Sequence, residues 1–308
     1  MDEATKYPFV SIITVNYNQS EVTCALIASL HQITYPNFEI IVIDNASPSD
    51  SPKIIKERFP NVILVENPIN YGFAAGNNYG LMRARGEYIL LINNDIEVPR
   101  NFLEPLVDKL RSHPEIGAVS PKIKYFYQPD TIQYAGYTPM NYLTMRNFAI
   151  GHGEKDQGQY DEDRETFYAH GAAMLVPMEV VKKVGLMSYI FFLYYEEADW
   201  CERIKKAGYK IYYVHNSYVL HKESVSTGKL SNLKIYYLNR NRLVFMRRNV
   251  NGSLFYKGLA YQLLVAIPKN ALNFLRKGNV SAFHTYYKAI GWHLLHLFDP
   301  VIYENPML

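Results

Sequence analysis

The 308-residue sequence holds only two cysteines, Cys24 and Cys201. Two thiols make neither a disulfide framework nor a Cys-rich metal site, so the composition points to a reducing compartment. No apolar run reaches the ~18 residues that a membrane-spanning helix needs. The opening MDEATKYPF has no basic n-region and no apolar h-region, so no secretory leader is expected and a cytoplasmic protein is. Internal repeats and low-complexity segments are absent too. With 48% hydrophobic and 20% charged residues, disorder as the main state is excluded. A large net charge is also missing, but the formal +3 is unevenly spread. From His221 to Leu308 there are 12 Lys/Arg against 3 Asp/Glu, whereas the preceding 220 residues carry 20 against 26. A mildly acidic body joined to a basic end suggests two regions with different partners. Anionic lipid fits the basic end; nucleic acid is not expected, because no recognised binding motif accompanies the charge.

What is present is a regular alternation over the first hundred residues. Residues 9–15 (FVSIITV), 38–43 (FEIIVI), 62–65 and 88–92 (YILLI) are apolar runs without polar alternation, the pattern of strands buried on both faces of a parallel sheet. Between them, 19–32, 51–59 and 73–85 carry helical spacing, with Val22, Leu26 and Leu30 on one face of the first. This repetition predicts right-handed crossovers and a doubly wound α/β layer that binds ligands beyond the carboxyl ends of its strands. Next come a predicted helix at 102–112, a strand at 117–120 and a polar, irregular stretch at 128–165. A strand at 168–177, a helix at 196–207 closed by Gly208 and a strand at 210–214 follow, with His221 in the loop beyond. The remainder is helical: 232–249, 253–276 with Pro268 as a kink or break, and 281–298. The expected division is an α/β ligand-binding domain at 1–230 and a basic helical extension at 231–308.

Three predicted strand ends are followed by Asn16-Tyr17-Asn18, Asp44-Asn45-Ala46-Ser47 and Asn93-Asn94-Asp95. One Asx turn is routine loop chemistry, whereas three on one sheet edge make a polar crevice. Asp95 there has the chemistry to hold a hard divalent cation through oxygen. Glu196, Glu197 and Asp199 place three carboxylates at the start of one helix. Charge complementarity with the helix terminus accounts for one or two of them. The bracketing Tyr194, Tyr195 and Trp200 suit a carboxylate of raised pKa beside a stacked sugar ring, the setting of a general base. Arg203 stands four residues after Asp199, where an ion pair would leave Glu197 free. A lone histidine such as His221 is more often structural than a ligand; pairing with Asp95 would make it a metal ligand.

These segments resemble those of family 2 glycosyltransferases, which have the GT-A nucleotide-sugar-binding fold. The resemblance is carried by 10–18 (VSIITVNYN), 40–47 (IIVIDNAS), 70–80 (NYGFAAGNNYG), 90–98 (LLINNDIEV), 170–177 (HGAAMLVP) and 194–208 (YYEEADWCERIKKAG), and spans about residues 8–250. Residues 239–242 (NRNR) resemble a rhamnosyltransferase-like group of surface-polysaccharide enzymes. The resemblance implies a GT-A-type doubly wound, mostly parallel sheet with a helical C-terminal extension. It implies that Asn16 and Asp44 line the nucleobase and ribose pocket and that Asn70, Gly72 and Asn77 lie against the nucleoside. Asn93-Asn94-Asp95 would occupy the DXD position, with Asn93 replacing the first Asp, so that Asp95 is the metal contact and His221 completes the site. Glu197 would be the catalytic base, where relatives more often have Asp. Glu196, Asp199, Trp200 and Gly171 would shape the acceptor site.

The activity so implied is inverting transfer from a nucleoside-diphosphate sugar of dTDP, UDP or GDP type, assisted by Mg²⁺ or Mn²⁺, to a hydroxyl of a glycan or lipid-linked acceptor. A sugar nucleotidyltransferase would need a Gly-rich, cationic phosphate loop, which 16–20 (NYNQS) does not supply. A non-catalytic nucleotide-sugar-binding subunit would not need Glu197, Asp95 and His221 together. The apolar stretches 256–267 and 290–298, with Arg247, Arg248, Lys257, Lys269, Arg276, Lys277 and Lys288 around them, suit two roles. One is peripheral contact through 250–300 with the inner face of the cell membrane; the other is packing on the catalytic domain or in a homodimer.

Overall fold

The computed structural model describes residues 6–222 and 231–308. Residues 1–5, part of the N-terminus expected to carry no leader, lie outside the described residues, as do 223–230, where the expected domain boundary falls. Four strands open the chain: β1 (Val10–Asn16), β2 (Phe38–Asp44), β3 (Ile63–Glu66) and β4 (Tyr88–Ile92). They pair in parallel in the order β3-β2-β1-β4, with helices α1 (Ser20–Leu30), α2 (Lys53–Arg58) and α3 (Gly72–Leu81) as crossovers. Asn16 sits directly beside Asp44 in the β1–β2 register. Short β5 (Ile96–Glu97), α4 (Leu103–Ser112), β6 (Ile116–Tyr125), β7 (Gln128–Tyr134) and β8 (Arg164–Glu165) follow. Then come β9 (Ala173–Pro177), α5 (Met178–Val184), α6 (Glu196–Lys206) and β10 (Lys210–His221). The sheet continues β4-β9-β6-β10-β5, with β9 antiparallel to β4 and β6, and β6 parallel to β10.

Two expectations change here. His221 is the last residue of a strand, not part of a loop: β10 continues beside β6 to the pair His221↔Tyr125. A register shift between Val214 and Tyr218 interrupts the apolar pattern and hides this continuation in the sequence. The polar stretch 128–165 is only partly irregular. It holds β7 paired with β6, β8 paired with β10, and bridges at Thr131↔Lys155, Tyr137↔Ala149 and Asn141↔Arg146. Buried Lys122 fastens it to the sheet through Asp156 at 3.0 Å and Asp161 at 2.6 Å.

The alternation of side chains along each strand splits the core in two. Ile12, Ile40, Val42, Leu90 and Ile92 face α1 and α4, packing on Leu26, Leu30, Leu106 and Leu110. Ile13, Ile41, Ile43, Ile89 and Leu91 face the other side, among Ala74, Val181, Trp200 and Ile204. That second core also takes Leu243, Val244, Phe245 and Met246 from α7 (Asn232–Asn249). The second core thus draws on residues from both sides of 230/231.

Beyond it lie α8 (Gly252–Tyr261), a π-helical turn at Gln262–Ala266, α9 (Ile267–Arg276) and α10 (Val280–Leu295). Pro268 sits in the first turn of α9, where its missing N–H costs little, and the π turn absorbs the irregularity. The α9–α10 hairpin has its own small core of Ile235, Ala282 and Tyr286 with Ile267, Phe274 and Ile290. Among the described residues, no helix is long and apolar enough to cross a membrane.

Candidate active site

The three Asx turns form one hydrogen-bonded edge. Asn94 Nδ2 donates to Thr23 Oγ1 at 3.0 Å, and Thr23 Oγ1 donates to Asn16 Oδ1 at 2.7 Å. Asn16 Nδ2 donates to Asp44 Oδ1 at 2.7 Å, and Ser47 donates to both Asp44 oxygens. Asn16, Asp44 and Asn94 are all buried, so this network fixes the shape of the crevice floor. A second group meets at the start of α3. Asn70 Oδ1 accepts from Gly72 N at 2.8 Å, Asn45 Nδ2 donates to Gly72 O at 2.9 Å, and Asn67 Nδ2 donates to Asn45 Oδ1 at 2.9 Å. Gly72 has φ +83° and any Cβ there would strike Phe192 O, so the position admits only glycine. Asn77, expected against the nucleoside, is buried and donates back to Phe73 O within its own helix.

Asp95 and His221 come together from β4 and β10, far apart in sequence. His221 Nε2 lies 3.1 Å from Asp95 Oδ1. His221 Nδ1 lies 2.7 Å from Gln133 Oε1, an acceptor, so Nδ1 carries the proton and donates. In the neutral ring Nε2 then presents a lone pair beside Asp95 Oδ1, a buried oxygen that receives no hydrogen bond. Two lone-pair atoms at this separation match adjacent donors of an octahedral cation with bonds of ~2.1 Å. Gln133 sets the imidazole tautomer as outer-shell partners of metal-binding histidines do. The residues thus fit a divalent cation, with one carboxylate and one imidazole and further positions left for substrate oxygens. Among the described residues, no group of three His, Cys, Asp or Glu stands ready to hold a metal alone.

The second chemical group is the first turn of α6. Glu197 is half-buried, and Gly171 is its wall: a Cβ on Gly171 would lie 3.4 Å from Glu197 Cγ. Burial raises the Glu197 carboxyl above its ordinary value, opposed in part by backbone N–H groups of Glu197 and Ala198. Burial and then the charge of Glu197 push the Glu196 carboxyl well above its ordinary value. Each glutamate has one buried oxygen, Oε2, without a hydrogen-bond partner. A three-residue loop, 170–172, lies between the Asn93 backbone and Glu197. Asn93 N donates to Ala172 O at 2.9 Å on one side, and Gly171 touches Glu197 on the other. His170 in this loop stacks on Tyr137 with centroids 5.7 Å apart and meets His221 edge-on at 6.5 Å. Burial, then the neighbouring His221 and His152, lower its pKa to about 3, so the ring is neutral at physiological pH. A cavity of about 300 Å³ opens beside it, lined by Gln133, Tyr137, Asn147, Phe148, His152 and His170. Gln133, Tyr137 and His170 escaped the sequence reading. His170 lies in a quoted segment, but Gln133 and Tyr137 sit in the stretch taken as irregular and carry no local signal.

Two expected acceptor-site residues turn away. Trp200 is fully buried and donates Nε1–H to Gly185 O at 2.8 Å, so its ring packs the core and offers no face to a sugar. Asp199 lies two residues, or about 200°, round the helix from Glu197. It receives Arg203 at 3.3 Å, Arg248 at 2.8 and 2.9 Å and Asn249 at 2.8 Å. The expected Asp199–Arg203 pair is therefore present, inside a larger anchor between α6 and α7. Burial alone would raise the Asp199 carboxyl, but Arg248, then Arg203 and Asn249, outweigh it and hold it below its usual value. Its contribution to stability is complete above the unfolded pKa of about 3.9 and is lost as pH falls through the lower folded value. Asp199→Asn should cost about 3–5 kcal/mol in urea unfolding at neutral pH, because two buried guanidinium groups lose their counter-charge. The gap to wild type should narrow below pH ~4.

Comparison with known proteins adds to this geometry. The glycosyl transferase family 2 model matches residues 11–185. An N-acetylglucosaminyl-diphospho-decaprenol L-rhamnosyltransferase of Mycobacterium tuberculosis is 24% identical over 240 residues, covering 71% of this chain and 77% of that one. The low-salt glycan biosynthesis hexosyltransferase Agl10 of Haloferax volcanii is 24% identical over 255 residues, covering 81% and 78%. Among solved structures, GalNAc-T7 with UDP, GalNAc and Mn²⁺ superposes with TM-score 0.65 at 18% identity, over 80% of this chain and 49% of that one. The mannosyltransferase PcManGT of Pyrobaculum calidifontis, in complex with GDP-Man and Mn²⁺, superposes with TM-score 0.57 at 18% identity, over 96% and 82%. The fold is thus the mixed α/β, GT-A fold, with a helical C-terminal region.

Proposed function

Because the chain belongs to glycosyl transferase family 2, we propose that it moves a sugar from a nucleoside diphosphate to an acceptor hydroxyl with inversion, Glu197 serving as base and Asp95 with His221 holding Mg²⁺ or Mn²⁺. The observation that supports this reading is the 170–172 loop, which bonds the backbone of Asn93 through Ala172 and faces Glu197 through Gly171. Mn²⁺ in the solved GalNAc-T7 and PcManGT structures supports the cation. When bound, the cation supplies positive charge to the departing diphosphate.

The chain's own residues do the rest. The acceptor oxygen attacks the anomeric carbon as the bond from that carbon to the phosphate oxygen breaks. The electron pair leaves with the nucleoside diphosphate. The hydroxyl proton passes to the Glu197 carboxylate, which later releases it to water. One displacement inverts the centre through an oxocarbenium-like transition state, so no carboxylate nucleophile is needed. The buried edge of Asn16, Asp44 and Asn94 shapes the floor on which the nucleoside rests, with Asn70 and Gly72 at its side. The unpartnered Glu197 oxygen is what a non-catalytic nucleotide-sugar subunit would have no use for.

A lipid-linked acceptor on the inner face of the cell membrane is the reading we favour. The mycobacterial relative's acceptor, as named, is a decaprenol derivative. Residues 224–298 contain 11 Lys/Arg and no Asp or Glu. Because α9 and α10 run antiparallel, with Phe274 against Tyr286 at 5.7 Å, the π turn lies beside the end of α10. Leu264 (76% exposed), Leu295 (85%) and Phe298 (95%) are the apolar side chains this basic stretch leaves most exposed.

Thermal-shift screening should find one of UDP, GDP or dTDP, or a sugar ester of it, that stabilises the chain more with Mn²⁺ than without. The Mn²⁺ increment should vanish in Asp95→Ala; an increment that survived would refute the cation site. Glu197→Gln should lower transfer by 100-fold or more, about 10²–10⁴ being usual for a lost base, while nucleotide binding persists. The wild-type rate should fall with acid along a limb above the ordinary Glu value of about 4.3. Flotation with vesicles of phosphatidylglycerol and phosphatidylcholine should carry wild type upward and leave Leu264→Glu/Phe298→Glu at the bottom. A stable dimer that buries these side chains and ignores vesicles would replace the membrane reading.

A further inference from the structure

The NRNR segment on α7 has no part in the mechanism so far, yet its side chains converge on the turn that launches α6. Asn241 is completely buried. Its Nδ2 donates to three backbone carbonyls of that turn: Phe191 O at 2.7 Å, Leu193 O at 2.8 Å and Tyr194 O at 2.8 Å. Its Oδ1 accepts from Arg240 Nε at 2.8 Å, so the whole carboxamide is engaged. Arg240 in turn donates to Ile190 O and Phe191 O and lies under Tyr237 and Trp292. The turn needs such support, because Phe192, Tyr194 and Tyr195 all have positive φ, at 60°, 70° and 75°. Bulky residues avoid that region unless their surroundings hold them there. Tyr195 is itself the residue that caps α6, two positions before Glu197, and Tyr195 O accepts from Asp199 N.

We propose that Asn241 is a positioning residue: by gathering the carbonyls of Phe191, Leu193 and Tyr194 on one amide, it fixes the turn at 190–195 and through it the aim of Glu197. The proposal rests on Glu197 acting as the base. Carbonyl oxygens converging on one point need a neutral donor there. An aspartate of the same shape would offer oxygen to oxygen, and a leucine would offer nothing. The distance between Asn241 and the carbonyls, not contact with substrate, is the lever. A displaced base of about 1 Å is enough to cost 10²-fold in turnover.

The test compares full-length wild type with Asn241→Asp, Asn241→Leu and Glu197→Gln. UDP-glucose, GDP-mannose and dTDP-rhamnose with Mn²⁺ are the donors, and released nucleoside diphosphate is the signal. Melting temperature and mapped chymotrypsin cleavage at 191–195 are measured on the same samples. The expected result is that at least one Asn241 variant melts as a folded protein and is cut faster within 191–195. That variant should turn over about 10–100-fold more slowly while its nucleotide-sugar KM stays within about twofold. Unchanged cleavage, unchanged kcat, or a rise in KM alone would overturn the positioning role. If both Asn241 variants fail to fold, Arg240→Lys, which keeps the buried charge but not the fork, must show the same kcat-only loss or the proposal falls. Glu197→Gln turning over at the wild-type rate would instead refute the base, and no release from any donor by wild type would refute both.

Discussion

The antiparallel insertion of β9 between β4 and β6 is the constraint on which the site depends. A fully parallel sheet would send the chain before β9 to the far edge. Running against β4, β9 starts where β4 ends, and the pair Ile92↔Ala173 puts 170–172 beside Asn93. That loop is then the shortest bridge between a strand-end carboxylate and a helix that begins about a hundred residues later in the chain. His170, Gly171 and Ala172 each do something different within it: one ring separates Tyr137 from His221, one bare α-carbon faces Glu197, and one carbonyl ties the loop to the sheet.

A single helical turn gives three acids three different settings. Glu196 is buried beside another carboxylate, and its carboxyl is pushed well above the ordinary value. Glu197 has a glycine for a wall and an oxygen to spare. Asp199, on the far side of the helix, is surrounded by guanidinium groups and an amide and is held ionised. The chemistry of each follows from its angle around the helix axis and from what packs there, since the residue types are nearly alike. The start of the same helix is gripped by α7, through Asn241 before it and through Arg248 and Asn249 on Asp199. Residues beyond 230 thus supply the partners that hold this turn.

The parallel half of the sheet was legible in the sequence because strands buried on both faces advertise themselves as unbroken apolar runs. The strand-end Asx turns and Asp95 follow from that layout, and the first turn of α6 from its clustered carboxylates between aromatics. The partnership of His221 with Asp95 stays open in the sequence, because a bulge disguises the end of β10 as loop. Gln133 and Tyr137 were beyond reach for another reason. They lie in a segment held by pairing to β6 and by the buried Lys122 ion pairs, and such long-range pairing leaves no periodic trace in a polar stretch. Trp200 misled because an aromatic next to acids reads equally well as a sugar platform or as a core side chain. Its fate was decided by Gly185 O, a partner that no local pattern reveals.

Gly171 has a consequence for how this scaffold can diversify. A Cβ there would rest in ordinary contact with Glu197, 3.4 Å from its Cγ, so the wall has room for a methyl group and little more. The opposite rim, from Asn147 to His152, consists of side chains on a surface hairpin, including the protruding Phe148. Larger changes in the shape of the cavity fall to that rim.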